Sequence, residues 1–251
     1  MLLEVEGLEK AFGGLKAISG ISFGVSEGEI LGLIGPNGAG KTTLFNLISG
    51  FLKPTKGIIK YKGNPIQHLP NYQIAQLGIG RTFQATRIFQ DQSVLDNLRI
   101  GALSKGNTSI TRALFGLWSE ETEHSCLDIV KMIDLAGEEN SRACDLNQEK
   151  QKRLSIGIAL AAKPGLLLLD EPTGGVNVDE MTQLVEIIKR INSQGITICL
   201  IEHKLKMVME LCTRLIVLNF GEKIAEGTPL EIKYNESAIK AYLGDEYASS
   251  C

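Results

Sequence analysis

Two patterns of apolar residues run along the chain, and each predicts a different kind of element. Residues 2–8 and 21–26 interleave apolar with polar positions, with Ile21, Phe23 and Val25 on one face. A period of two reads as a half-buried antiparallel strand. GIIKYKG at 57–63 reads the same way. Three other runs are apolar almost throughout: EILGLIG (29–35), LLLLDE (166–171) and ITICLIEH (196–203). Strands covered on both faces of a parallel sheet have that composition. A leucine run also suits a helix, but Pro164-Gly165 before the second run and Pro172 after it leave room only for a strand.

Helical spacing follows the second and third runs. Met181, Leu184, Val185 and Ile188 fall at i, i+3, i+4 and i+7, and so do Leu205, Val208, Met209 and Cys212. Strand–helix alternation predicts a doubly wound α/β core with ligands at the carboxyl ends of its strands. From about 88 to 160 strand signals are weak, and helices are expected near 93–102, 121–135 and 149–162, so this stretch reads as a helical insertion. A length of 251 residues suits one large α/β domain or a core with a smaller subdomain.

Charge and cysteine content narrow the class. A net charge of −3 leaves no basic footprint for nucleic acid. Five cysteines, an odd number without CxxC spacing, predict reduced thiols in a cytosolic chain, with Cys199 and Cys212 in the core. The start, MLLEVEGLEK, carries charges too early for a signal peptide. No apolar run approaches the ~18 residues of a membrane span, so any work at a membrane requires another subunit to cross it.

Candidate chemistry lies at the strand ends. GPNGAGKT, Gly35 to Thr42, fits the phosphate-binding pattern G-x-x-x-x-G-K-[ST] between an apolar strand and the helical stretch TLFNLISG. Gly35, Gly38 and Gly40 let the backbone curl so that N–H groups point at phosphate oxygens. Lys41 supplies a cation for the β- and γ-phosphates, and Thr42 a hydroxyl for Mg²⁺. The plain alternative is a tight strand-to-helix turn that binds nothing. Asp170 and Glu171, adjacent at the end of a buried strand, are costly unless a cation or water meets them. Asp170 is expected to hold Mg²⁺ through water and Glu171 to polarise the attacking water of a nucleotide hydrolase; a solvated strand end is the alternative for Glu171. His203 closes the third apolar run, whereas His68 and His124 read as structural.

Together and in this order, these pieces resemble an ABC-type ATPase over nearly the whole chain. GPNGAGKTT resembles the Walker A motif, which implies nucleotide contacts from Gly35, Pro36, Asn37, Gly38, Ala39, Gly40, Lys41, Thr42 and Thr43. LLLLDEP resembles Walker B with its catalytic glutamate, Glu171. RTFQ puts Gln84 at the position that links metal and water to the transmembrane partner, GGVN (Gly174 to Asn177) occupies the D-loop, and His203 matches the switch histidine. Phe12, in KAFGG, falls where an aromatic stacks on adenine; a core aromatic at a strand end is the competing reading.

KAFGGLKA, GIGRTFQ, IEHKLKMVMELC and NFGEKIAEGTPLEI look like the ATP-binding subunits of branched-chain amino-acid importers, with lipopolysaccharide-export and urea-import ATPases sharing parts of the wording. The resemblance implies a single ABC ATPase domain over 1–251. Its parts are a P-loop (RecA-like) α/β core with a parallel sheet, an antiparallel β subdomain and a helical subdomain at about 88–160. It also implies ATP and Mg²⁺ as cofactors and a peripheral place on the cytoplasmic face of the inner or plasma membrane. The implied partners are a second ATPase chain head to tail, permease subunits and, indirectly, a solute-binding protein.

One motif departs. The family's Leu-Ser-Gly-Gly-Gln signature, which contacts the nucleotide held by the other chain, aligns with Leu146-Asn147-Gln148-Glu149-Lys150. Asn147 can cap the helix that follows, Cβ atoms at Gln148 and Glu149 restrict backbone approach, and Glu149 adds negative charge beside a polyanion. Two expectations stand open: a heterodimer with one weakened site, or a tolerated variant with two working sites. A regulatory subunit with weak turnover is a further alternative, opposed by the complete Walker motifs. A GTPase is opposed by the lack of an Asn-Lys-x-Asp motif.

Overall fold

The three continuous apolar runs form strands at Ile30–Ile34, Leu166–Asp170 and Thr197–Ile201, each buried along its whole length. The computed structural model describes residues 1–82, 88–103 and 118–243. In chain order its elements begin with β1 (Leu3–Phe12), β2 (Leu15–Val25), β3 (Ile30–Ile34), α1 (Lys41–Ile48), β4 (Lys56–Tyr61), β5 (Asn64–Pro65), α2 (Asn71–Gln76) and β6 (Ile79–Arg81). Helices α3 (Val94–Ala102), α4 (Glu120–Met132) and α5 (Gln148–Ala161) follow, then β7 (Leu166–Asp170) and α6 (Val178–Ser193). The chain continues through β8 (Thr197–Ile201), α7 (Leu205–Leu211), β9 (Arg214–Asn219), β10 (Glu222–Gly227), α8 (Pro229–Lys233) and α9 (Glu236–Leu243). Two compact units result, Met1–Asn71 with Thr197–Cys251, and Tyr72–Ile196.

The first unit holds two sheets. One is antiparallel, in the order β2-β1-β4-β5. Its alternation puts Ile21, Phe23 and Val25 inside, as their spacing predicts. β1 and β2 run longer than the pattern suggests, because register shifts between Val5, Leu8, Lys10 and Ala11 interrupt the period of two. In the other sheet β3 lies between β8 and β9, parallel to both, and β10 returns antiparallel along β9. Cys199 and Cys212 are core residues there, and burial pushes the Cys212 thiol up to about 12.

The face of α7 differs from its prediction. Met207, Val208, Leu211 and Cys212 are buried, but Leu205 and Met209 are exposed. A seven-residue helix accommodates two apolar stripes, and the one that feeds β9 wins the core. Leu205 and Met209 instead line a groove with Ile232 and Ile239 of α8 and α9.

In the second unit β6 and β7 pair in parallel, and α3 and α4 pack on α5. α6 buries Met181, Leu184, Val185 and Ile188 as expected, and adds Ile187 and Ile191. α3 and α5 approach closely at Gly101, where a Cβ would stand 2.5 Å from the Ile158 carbonyl oxygen. Alanine favours a helix interior by about 1 kcal/mol over glycine, but a backbone clash costs about 1–3 kcal/mol. Gly101→Ala is therefore expected to lower stability in chemical denaturation; a gain would refute this packing.

Candidate functional site

The loop after β3 curls because its glycines allow it. Gly35 has φ +151, and a Cβ there would lie 2.1 Å from the Leu218 carbonyl oxygen, so no side chain fits. Gly40, with φ +101, is the N-cap of α1 and offers no side-chain cap. With no side chain over the head of α1, the helix dipole favours an anion there. Lys41 is 5% exposed, and its Nζ donates to the carbonyls of Gly35 at 2.7 Å and Pro36 at 2.9 Å. These bonds hold a cation inside the curl. Ala39 is buried and its N–H donates to the Pro36 carbonyl, while Asn37, Gly38 and Thr42 are exposed and Thr43 is half-buried.

A late hairpin braces this loop. Gly221, in the turn between β9 and β10, donates its N–H to the Ala39 carbonyl at 3.1 Å and accepts from the Ser19 N–H at 2.8 Å. Phe12 ends β1 opposite Leu15 and is 47% exposed, with Lys10 Nζ 5.0 Å from its ring centroid. A ring this exposed is not a core aromatic.

His203 lies two residues past β8 and is half-buried. Its backbone N–H, and that of Lys204, donate to Glu202 Oε2 at 3.0 and 3.3 Å. Glu202, itself buried, thus fixes the turn that carries the histidine.

In the second unit Asp170 closes β7 with its side chain buried. Arg81 Nη2 meets Asp170 Oδ2 at 3.1 Å, and the Asp170 N–H donates to Thr82 Oγ1 at 3.2 Å. Glu171 follows with φ +49, a left-handed conformation unusual outside glycine, and its carbonyl accepts the Gly174 N–H at 3.1 Å. Such backbone positions cost about 1–3 kcal/mol and cluster at working sites. Asn177 then starts α6 in a reciprocal cap with Glu180. Thr42 and Asp170 each carry a hard oxygen donor of the kind Mg²⁺ prefers. Gln84 lies outside the described residues.

The degenerate signature is self-satisfied. Asn147 caps α5, its Oδ1 accepting the Lys150 N–H at 2.8 Å. Gln148 is exposed beside Gly175, where a Cβ would come 3.4 Å from its Oε1. Glu149 departs from expectation: it is buried and ion-paired with Arg153, which also bonds Gln183. Its charge is met one helical turn away, an i,i+4 partnership, so its repulsion of an anion is muted. Lys150 pairs with Glu138. Sequence reasoning passed over Arg81 and Glu202. The signal for Arg81 was the unmet cost of a buried Asp170 beside an arginine at the edge of an apolar stretch.

Comparisons with known proteins identify the family. The ABC transporter family profile matches residues 18–174, and that of the branched-chain amino acid ATP-binding cassette transporter matches residues 222–248. The high-affinity branched-chain amino acid transport ATP-binding protein BraF of Pseudomonas aeruginosa is 38% identical over 250 residues, covering 97% of this chain and 98% of that protein. The LivG protein of Salmonella typhimurium, described in the same terms, is 40% identical with the same coverage. A solved structure, the ADP conformation of an ATP-binding cassette of an ABC transporter, superposes with a TM-score of 0.86 at 30% identity, over 97% of this chain and 99% of that one. No helix among the described residues is long and apolar enough to cross a membrane.

Proposed function

The chain belongs to the family of ABC transporter ATP-binding cassettes, and from that premise we propose that it hydrolyses ATP to power import of branched-chain amino acids or related small solutes through partner permeases. The observation that carries this reading is the formed phosphate loop, with Lys41 locked inside its curl, in a chain aligned from end to end with transporters of that class.

Each residue has a chemical role. The N–H groups at the head of α1 and the Lys41 ammonium bind phosphate oxygens. Phe12 stacks on the base. Glu171 orients and deprotonates the attacking water, and His203 contacts the γ-phosphate. Thr42, Gln84 and Asp170 are the residues that would hold Mg²⁺, which would supply positive charge to the phosphates when bound. The remaining partners are a second ATPase chain, head to tail, and a solute-binding protein, with the assembly docked on the cytoplasmic face of the membrane. A tagged pull-down from membranes is expected to recover two permeases and a solute-binding protein; recovery of no membrane protein would count heavily against import.

The capped Asn147, whose Oδ1 already takes the Lys150 N–H, favours a heterodimer with one weakened site, although the Glu149–Arg153 pair removes repulsion as a cause. A signature helix that satisfies its own first turn has less to offer a partner's nucleotide. Losing one charge-assisted hydrogen bond, about 1.5–3 kcal/mol, weakens that half-site by about tenfold or more. In the assembled pair, Glu171→Gln is expected to remove most turnover and the same change in the partner much less. Equal losses would sink the asymmetry.

A further inference from the structure

Arg81 is an expensive residue for its place. It ends β6, and its side chain is 5% exposed against 3% for Asp170, the carboxylate it meets at 3.1 Å. The strand residues before the pair are apolar: Ile79 and Gly80 precede the arginine, and Leu166 to Leu169 precede the aspartate. Burying an ion pair rarely adds stability over apolar packing, because desolvation offsets the attraction. Stability alone is therefore a weak reason for this pair.

The sheet aims it. Arg81 is opposite Leu168 in the parallel register, so the guanidinium reaches forward along β7 to Asp170. The next residue ties the same strand ends twice: the Thr82 N–H donates to the Leu168 carbonyl at 2.9 Å, and Thr82 Oγ1 accepts from the Asp170 N–H at 3.2 Å. Asp170 is thus held at its backbone by Thr82 and at Oδ2 by Arg81. A guanidinium is planar and directional where an ammonium is not, so this grip fixes orientation as well as charge.

We infer that Arg81 is a positioning residue: it holds the Asp170 carboxylate in the orientation from which that group serves a divalent cation. The inference rests on the reading of Asp170 as a Mg²⁺ residue. Outer partners of metal-serving carboxylates typically contribute 10–100-fold to metal affinity.

The test is binding of a fluorescent ATP analogue to the full chain, titrated with Mg²⁺, alongside thermal unfolding without Mg²⁺. Arg81→Met is expected to raise the Mg²⁺ concentration for half-maximal nucleotide binding by about tenfold or more, and Arg81→Lys to give a smaller shift in the same direction. Asp170→Asn should shift the midpoint at least as far as Arg81→Met, and adding Arg81→Met to Asp170→Asn should change little further, since Arg81 acts through Asp170. A lowered melting temperature with an unchanged Mg²⁺ midpoint would reduce the pair to a structural one and overturn the inference. A lowered midpoint would overturn it too, making Arg81 a competitor of the cation. If Arg81→Met fails to fold, Arg81→Lys decides by the same criterion. A wild-type chain whose nucleotide binding ignores Mg²⁺ would sink the reading of Asp170 and the inference together; a Mg²⁺-dependent wild type with unaffected variants would sink the inference alone.

Discussion

Glu171→Gln is expected to lower kcat by about 10²–10⁴-fold, the usual contribution of a general base, while ATP still binds. The amide keeps the shape of the side chain and removes its basicity. The backbone of Glu171 is set by its neighbours, with the carbonyl accepting from Gly174 and φ at +49, so the substitution leaves the turn as it is. Phosphate release at saturating ATP, compared with equilibrium binding, separates the two effects. Near wild-type turnover would remove Glu171 from the chemistry. Glu171→Gly supplies a control: it should be equally inactive yet more stable, because glycine adopts a positive φ without strain.

Lys41→Ala should weaken ATP binding by about 10–100-fold, the equivalent of one charged hydrogen bond at about 1.5–3 kcal/mol. The loss has two parts. The phosphates lose a cation, and the loop loses the two bonds that draw Gly35 and Pro36 around the ammonium. ADP, which keeps a β-phosphate, should lose affinity with ATP, whereas adenosine should be indifferent. Titration calorimetry with the three ligands reads this directly; an adenosine affinity that falls as far as that of ATP would point to a collapsed site rather than a missing charge.

The elements legible from sequence were those whose pattern has one physical explanation. β3, β7 and β8 are apolar almost throughout and bounded by turn residues, and all three are strands buried on every residue. The buried stripe of α6 was equally plain over its 16 residues. α7 was not, because seven residues do not separate one apolar phase from another. The ends of β1 and β2 were hidden by bulges that break alternation. At the site, the phosphate loop was readable because glycine, lysine and threonine each do something there that few other residues can. Phe12 was ambiguous, since exposure depends on whether anything packs over the hairpin end, which local sequence does not encode. Glu149 misled for a related reason. Its partner Arg153 is only four residues on, but nothing in the spacing says that the pair turns inward. Arg81 and Asp170 are 89 positions apart, and only strand pairing brings them together.

The position of β3 between β8 and β9 has a consequence for the birth of the protein. Ile34 pairs with Val217, and the Ala39 carbonyl waits for the Gly221 N–H. At synthesis rates of about 5–20 residues per second, the roughly 180 intervening residues take on the order of 10–40 s to appear. For most of that interval the most apolar strand of the amino-terminal third has neither of its sheet neighbours, and until β9 appears it has at most one. The phosphate loop is therefore encoded early and completed late, and a ribosome stalled before β9 would display β3 as an unpaired edge, open to chaperones or to other nascent chains.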